Sequence, residues 1–303
     1  MNIGVLPDLV PTGITLPKSL NAAKFMDDAT IQEAVDLSSS LATKLDRSGP
    51  LPWWESSGKL LPNSNTLLHS EIKAVKTTSD EREMVLNSDK TKLMIINFTK
   101  NHQFQSLLTI PGSQNTIELT FETKLLGYWL TVDMKPEKHV EHILKIAYGR
   151  LWAISRLKAA NVSEQDILHF FNVKIRSVLE YSAPVFSSML THENTTDIER
   201  VQKIALKVIL SDRYSDYDQA CSCLSTKSLQ LRRIDLSLNF ALKCLKSTSH
   251  NHMFKQRRST YYELRKIKQF EEPFCHSDRY KSSPIPYLTK LLNEHFAEKI
   301  GAY

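Results

Sequence analysis

Glycine is scarce in this 303-residue chain, with 8 residues, and cysteine is scarcer still, with 4. The shortage of glycine, together with long stretches of apolar residues at helical spacing, argues against a β-barrel or a dinucleotide-binding α/β sheet and indicates a mostly helical chain. The cysteines are too few and too irregularly spaced for a disulfide framework in a chain of this length. We therefore expect a protein of a reducing compartment.

Long hydrophobic runs are also missing. No apolar run approaches the roughly 18 residues that a membrane span requires. The first twenty residues carry Pro7, Pro11 and Pro17 but no basic start that leads into an apolar stretch, so they do not resemble a signal peptide. These absences predict no membrane partner and an intracellular location, nuclear or cytoplasmic.

Positive charge is modest overall, at +6, but it is concentrated in one segment. Residues 254–268 contain six basic side chains against Glu263 alone, a local charge of +5. Aromatic rings, including Phe254, are interleaved with these charges. Such a mixture suits contacts to phosphates and stacking on bases, although a solvated amphipathic helix has the same pattern. The candidate nucleic-acid-binding residues are Lys255, Arg257, Arg258, Tyr261, Tyr262, Arg265, Lys266 and Lys268.

The first 135 residues mix strand and helix patterns. Residues 22–26 suit a short strand, Asp27-Asp28 interrupts it, and Thr30 with Glu33 has the spacing of a helix capping box. An exposed loop or insertion is expected near 46–66 because proline, serine, glycine and asparagine cluster there. A polar helix over 67–83 follows, and then strands are predicted over 92–98, 106–110, 116–121 and 125–132.

Beyond Pro136 the apolar period changes to that of helices. One predicted helix starts near 137, a second begins at Ser163 and ends before Pro184, a third is capped by Thr196, and a fourth runs from about Ser228 to Lys246. The sequence therefore predicts an α+β chain in three parts. These are a mixed part over 1–135, a helical domain over 136–250 and a basic, proline-containing tail over 251–303.

The sharpest chemical signal is Phe25-Met26-Asp27-Asp28, in which two adjacent carboxylates follow an apolar strand. Hard oxygen ligands of this kind hold divalent ions, and two metals about 3.5 to 4 Å apart can stabilise the attacking and leaving oxygens of phosphoryl transfer. The alternative is structural, because acids also favour the N-terminal end of a helix.

Several motifs in one order extend this signal. Residues 24–30 (KFMDDAT) resemble the aromatic-x-Asp-Asp hairpin of reverse transcriptases, 84–92 (MVLNSDKTK) resemble the Leu-Asn-x-x-Lys-Thr stretch of non-LTR retrotransposon enzymes, and 121–128 (FETKLLGY) resemble their Leu-Gly primer-grip hairpin. Residues 174–185 and 198–207 are similar to the thumb and post-palm region. The chain thus resembles the C-terminal part of a non-LTR retrotransposon reverse transcriptase.

The resemblance implies roles for individual residues. Asp27 and Asp28 match the metal-binding catalytic carboxylates, and Lys90 matches a lysine near the incoming nucleotide. Leu126 and Gly127 match the turn that holds the primer strand. It also implies a partial polymerase palm followed by a thumb-like helical domain, with an RNA template and DNA primer, or an RNA/DNA hybrid, as partners.

The family's further palm aspartate and its fingers have no counterpart in the 26 residues before Asp27. We therefore expect a truncated RNA-directed DNA polymerase that is inactive as this fragment, with Mg²⁺ or Mn²⁺ bound only if an N-terminal polymerase half completes the site. The alternative function is a non-catalytic RNA- or DNA-binding module derived from such a polymerase.

Overall fold

A computed structural model describes residues 21–25, 28–32, 67–83, 87, 90–96, 117–257 and 268–300. The described part is a mixed α+β structure that is mostly helical, with short strands, as the sequence predicts at this coarse level. It falls into two compact units. One comprises the described residues up to 123 together with 131–134, and the other comprises 124–130 and the described residues from 135 onward.

The first two strands pair in antiparallel orientation. Strand β1 (Asn21–Phe25) pairs with β2 (Asp28–Gln32), in a register that sets Ala23 opposite Thr30 and Phe25 opposite Asp28. The predicted helix after Thr30 is therefore wrong over residues 30–32. The β-branched pair Thr30-Ile31 favours extended backbone, and the ladder with β1 supplies the hydrogen bonds that a helical turn would otherwise have provided.

The other described residues of the first unit form one helix and a small parallel pairing. Helix α1 (Leu67–Glu81) confirms the predicted polar helix. Strands β3 (Lys92–Leu93) and β4 (Glu118–Leu119) are shorter than predicted and pair in parallel, with an ion pair between Lys92 and Glu118. The predicted loop near 46–66 and the predicted strand over 106–110 lie outside the described residues.

A second hairpin replaces the single strand predicted over 125–132. Strand β5 (Glu122–Leu125) pairs with β6 (Tyr128–Thr131), and Leu126 and Gly127 form the turn. Both turn residues have positive φ, 48° and 85°, as a two-residue type I′ connection requires. The prediction of a continuous strand over 125–132 is wrong at these two residues, which form a turn between two strands.

The helical part opens with a long helix and a broken one. Helix α2 (Glu137–Ala159) buries the predicted stripe. Helix α3 (Glu164–Phe170) starts where the sequence predicts, because Ser163 Oγ accepts a hydrogen bond from the Asp166 amide. A π-helical segment (Phe171–Arg176) and helix α4 (Ser177–Glu180) continue it.

Two details of the predicted helix boundaries differ here. The second helix ends at Glu180, before Pro184 as predicted, but Pro184 does not end it and instead occupies the first turn of helix α5 (Ala183–Phe186), where its missing amide hydrogen is not needed. Helix α6 (His192–Leu210) is capped by Thr191, while Thr196 lies inside it and bonds back to the His192 carbonyl. Short 3₁₀ turns at Ser187–Met189 and Ser211–Arg213 flank α6.

The remaining helices include the long one predicted near Ser228. Helix α7 (Tyr217–Cys223) precedes α8 (Leu229–Lys246), which matches the predicted bounds and is capped by Ser228. A 3₁₀ turn (Asn251–Met253), helix α9 (Asp278–Lys281) and helix α10 (Pro284–Ile300) follow. All four cysteines are free thiols.

Two apolar clusters form the core of the helical unit. The larger one joins α2 to α8 and includes Ile154, Phe171, Phe186, Ile198 and Leu206. The smaller one packs α10 against α8 and contains Ala241, Cys244, Phe254, Phe270, Leu288 and Leu292. The described part of the C-terminal segment therefore contributes buried side chains to the fold.

Candidate nucleic-acid interface

One of the two proposed metal ligands, Asp28, begins β2. Phe25 is the last residue of β1 and the register partner of Asp28. A strand-ending aromatic residue thus lies opposite an aspartate in this antiparallel pair. Asp27 lies outside the described residues, and the structure describes the backbone of Asp28. Within the described part of the chain, no group of three histidine, cysteine or acidic side chains is gathered that could hold a metal.

Lys90 lies in the turn before β3. Its side chain is exposed, and its backbone amide donates a hydrogen bond of 3.1 Å to Asn87 Oδ1. This local bond holds the turn backbone. The predicted role of the ammonium group near an incoming nucleotide stays a prediction.

The β5–β6 turn is fixed by an aromatic residue from a distant part of the chain. Tyr181, just after α4, donates its hydroxyl to the Leu126 carbonyl. A Cβ added to Gly127 would lie 3.2 Å from Tyr181 Cε1, so the ring covers the backbone at a position that tolerates only glycine without rearrangement. Leu126 and Gly127 are thus held in one conformation, as a turn that positions a strand would need.

An aromatic stack lies under this turn. The fully buried His139 ring sits 4.4 Å from Tyr128 and 5.2 Å from Phe186, measured between ring centroids. Burial lowers the pKa of His139 to about 4, and the positive charges of His142 and Lys124 act in the same direction. The Tyr181 backbone opposes this shift, although neither ring nitrogen of His139 makes a hydrogen bond within the described structure. His139 is therefore a neutral ring at neutral pH.

Cations surround the same hairpin. Lys138 lies 5.6 Å over the Trp129 ring, and His142 packs edge-on against that ring at 5.9 Å. Desolvation and then the charges of Lys124 and Lys145 lower the pKa of His142. Acidic side chains lie here as well, because α2 begins with Glu137 and Glu141 follows one turn later, so charges of both signs flank the start of this helix.

Sequence reasoning missed the exposed face of α2. Lys145, Tyr148, Trp152 and Arg156 recur at intervals of three, four and four residues and so share one side of the helix. Trp152 is 66% exposed and Tyr148 is 38% exposed, and the Arg156 guanidinium lies 5.2 Å from the Trp152 ring centroid. The sequence did contain a signal for this face, because Tyr148 and Trp152 lie opposite the apolar stripe of the amphipathic helix.

Basic residues elsewhere on α2 are engaged in the fold. Lys158 donates to the Ile209 carbonyl at 2.6 Å, and Arg150 donates to the Lys174 carbonyl. Their contacts tie α2 to its neighbours. Lys145 and Arg156 are the cations of the exposed aromatic face.

The basic segment predicted near the C-terminus is only partly described. Lys255 pairs with Glu271 at 2.7 Å, and Lys268 pairs with Glu272 at 2.8 Å. Arg257 is exposed. Phe254 is 3% exposed and packs on Phe270, so the idea that its ring stacks on bases is wrong. Arg258, Tyr261, Tyr262, Arg265 and Lys266 lie outside the described residues.

Comparison with known proteins gives no assignment. No family model, no curated protein and no solved structure matches the chain. No helix among the described residues is both long enough and apolar enough to cross a membrane.

Proposed function

We propose that this chain binds nucleic acid and derives from a reverse transcriptase of the non-LTR retrotransposon type. The observation that carries the binding proposal is the basic and aromatic face of α2, formed by Lys145, Tyr148, Trp152 and Arg156. Its two cations are separated by eleven residues, which is about 16 Å along a helix. Phosphates can neutralise the cations while bases stack on the exposed rings.

The surroundings of this face support a nucleic-acid partner better than a protein partner. A large exposed indole with a guanidinium over it offers a flat, positively charged platform, and Gly149 beside it has no atom within 4 Å of an added Cβ. Glu141, one turn before Lys145, is the acid on the same side. Sequence-independent binding of single strands combines a basic track with stacking rings in the same way.

Two antiparallel strand pairs support the derivation from a polymerase. The resemblance implies the Asp-Asp motif in one hairpin and Leu-Gly in the turn of another. Phe25 lies opposite Asp28 in the β1–β2 pair, and Leu126-Gly127 form the turn between β5 and β6. A helical domain follows, which is the order that the family implies. Asp27, Asp28 and Lys90 are the proposed catalytic positions and Mg²⁺ or Mn²⁺ the proposed cofactor.

Binding is tested by fluorescence anisotropy with labelled single-stranded RNA, single-stranded DNA and an RNA/DNA hybrid over a salt series. Trp152→Ala should weaken binding by about 5- to 150-fold, the effect of losing about 1–3 kcal/mol of stacking. Lys145→Gln and Arg156→Gln should each make the dependence of log K on log salt shallower by nearly one unit.

The matched control is Phe274→Ala. Phe274 is 79% exposed but lies outside the α2 face and follows Glu271 and Glu272 in sequence. Its removal should leave the affinity unchanged. Equal affinities for Trp152→Ala and Phe274→Ala would overturn the proposed role of the α2 face.

Primer extension on an RNA template with Mg²⁺ or Mn²⁺ tests the catalytic part of the proposal separately from binding. The chain and its upstream-extended form in the native reading frame are each compared with their Asp27→Ala variants. Synthesis that depends on Asp27 supports a polymerase. Nucleic-acid binding that persists without any Asp27-dependent synthesis or metal binding supports the alternative, a non-catalytic module.

A further inference from the structure

A cleft of about 350 Å³ opens between the π-helical segment and the loop that follows α7. Its polar lining comes from Asn172 and Arg176 on the π-helical segment, Thr226 and Lys227 on the loop, and Arg232 on α8. Leu168 contributes an apolar wall. This volume lies within the usual range for small-molecule sites.

Positive charge exceeds negative charge in this cleft. Arg232 binds Glu180 in a bidentate pair through Nε and Nη2, the latter at 2.9 Å from Oε2, while Arg176 Nε lies 3.7 Å from the same carboxylate. Two guanidiniums thus share one carboxylate. Burial, followed by the nearby charge of Arg232, lowers the pKa of Arg176. Lys227 adds a further cation at the rim, where Asp235 pairs with it at 2.7 Å.

Two polar atoms of the lining have no partner within the described structure. Asn172 Oδ1 and Thr226 Oγ1 are buried and make no hydrogen bond there. Buried polar atoms in folded proteins are almost always hydrogen-bonded, because an unmet donor or acceptor costs about 1–3 kcal/mol. Both side chains line the same cleft and are half-buried, so a rotation of each about its side-chain bonds would bring these solvent-inaccessible atoms to a single ligand.

The backbone of the cleft walls is unusual on both sides. Asn172 and Arg176 lie on a π-helical segment, a rare geometry that is found frequently at functional sites. Across the cleft, Ser225 has a φ of 48°, in the left-handed region that non-glycine residues seldom occupy. Strain of this kind is retained where the surroundings demand it.

We propose that this cleft binds a phosphate monoester on a carrier that also has a hydrogen-bond donor, such as a nucleoside monophosphate. Arg176, Lys227 and Arg232 face the phosphate, and the Thr226 hydroxyl donates to one of its oxygens. Asn172 Oδ1 accepts from a hydroxyl or amino group of the carrier. The proposal is independent of the α2 face, which shares none of these residues.

The ligand is tested on the full chain by calorimetric titration and thermal unfolding at constant ionic strength. The probes are inorganic phosphate, ribose 5-phosphate, AMP and adenosine. AMP and ribose 5-phosphate should bind and raise the melting temperature, inorganic phosphate should bind more weakly, and adenosine should not bind. Phosphate binding as tightly as AMP would overturn the role given to Asn172.

Asn172→Asp is the decisive variant, because it places a carboxylate beside the arginines and opposes an anionic ligand. It should weaken AMP binding at least about tenfold without lowering the melting temperature, since Arg176 and Arg232 line the same cleft and can offset the new charge. Thr226→Val removes a hydroxyl that has no partner in the described fold, so it should also weaken binding while leaving the fold intact.

Asn161→Asp is the matched control. It makes the same change of charge at an exposed position just beyond α2, outside the cleft lining, and should leave AMP binding unchanged. Equal AMP affinity for Asn172→Asp and Asn161→Asp would refute the site, as would no response to millimolar AMP in the wild-type chain. Trp152→Ala should retain AMP binding, so failure of this proposal is distinguishable from failure of the nucleic-acid proposal.

Discussion

The Tyr181 hydroxyl donates a hydrogen bond to the Leu126 carbonyl, 55 residues earlier in the chain. The bond closes a long loop and ties the end of α4 to a two-residue turn. Because Tyr181 is about half exposed, water competes for the same carbonyl. The bond therefore contributes more to the position of the turn than to the stability of the whole domain.

Replacement of Tyr181 by phenylalanine should lower the free energy of unfolding by only about 0.5–1 kcal/mol, measured by urea denaturation. The larger effect should be faster hydrogen exchange of the amides in β5 and β6. Tyr148→Phe is the control, since the Tyr148 hydroxyl makes no hydrogen bond among the described residues. Unchanged exchange in Tyr181→Phe would show that the hydroxyl does not restrain the turn.

Replacement of Gly127 and of Gly149 by alanine should change the free energy of unfolding in opposite directions. At Gly127 the φ of 85° and the Tyr181 ring 3.2 Å from the new Cβ predict a loss of about 1–3 kcal/mol. Gly149 lies inside α2 with open space around it, so alanine should stabilise the chain by about 0.5–1 kcal/mol. Urea denaturation of the two variants in parallel measures the sign of each change in the free energy of unfolding. A neutral Gly127→Ala variant would contradict the close fit of the turn.

His139 should make the stability of the chain sensitive to mild acid. Its pKa is about 4 when folded and 6.5 when exposed, so the unfolded state takes up a proton first as the pH falls. The contribution of neutral His139 to the free energy of unfolding is complete above pH 6.5. It is lost progressively between pH 6.5 and 4, and the total loss is about 3 kcal/mol.

Urea denaturation from pH 4.5 to 7.5 tests this dependence. His139→Phe keeps an aromatic ring between Tyr128 and Phe186 but does not titrate, so its stability should fall less steeply than that of the wild type. His192→Gln, at an exposed histidine, should follow the wild-type curve. Identical slopes for wild type and His139→Phe would contradict the neutral, buried state of the ring.

Glu199 should be a strongly destabilising position. Its buried carboxylate accepts hydrogen bonds from the Leu229 amide at 3.3 Å, from the Gln230 amide and from the Tyr217 hydroxyl. Glu199→Ala leaves these donors unmet at the start of α8 and should lower the free energy of unfolding by about 2–4 kcal/mol.

Thermal or urea unfolding of Glu199→Ala is compared with Ser228→Ala, which removes only the side-chain cap of the same helix. The Ser228 variant should lose about 1 kcal/mol. Equal losses in both variants would mean that Glu199 contributes no more than an ordinary cap.

The sequence predicts a helix boundary well where one side chain decides it. The helices predicted to begin at Ser163 and at about Ser228 do begin there, because the hydroxyl of each serine accepts a hydrogen bond from an amide in the first turn. The predicted cap at Thr196 is wrong because Thr191, a little more than one turn earlier, supplies the hydroxyl that caps the helix. Pro184 misleads because proline suits the first turn of a helix as well as the residues after its end.

Features that depend on distant contacts escape sequence reasoning. The strand at residues 28–32 forms through pairing with β1, which outweighs the local capping pattern of Thr30 and Glu33. The burial of Phe254 depends on Phe270 and α10, and no local pattern distinguishes a buried ring from a stacking one. The cleft of Asn172 and Thr226 likewise brings together side chains that are 54 positions apart in sequence.

The π-helical segment also sets the rotation, about the helix axis, of the helical residues that follow it. Its i to i+5 bonds accommodate one residue more than an α-helical path of the same length, and each α-helical residue turns the chain by about 100°. Deleting one residue between 171 and 176 would rotate Glu180 away from Arg232 by roughly that angle. A one-residue deletion in this segment would therefore change which partners the following helical side chains contact, while the helix itself would persist.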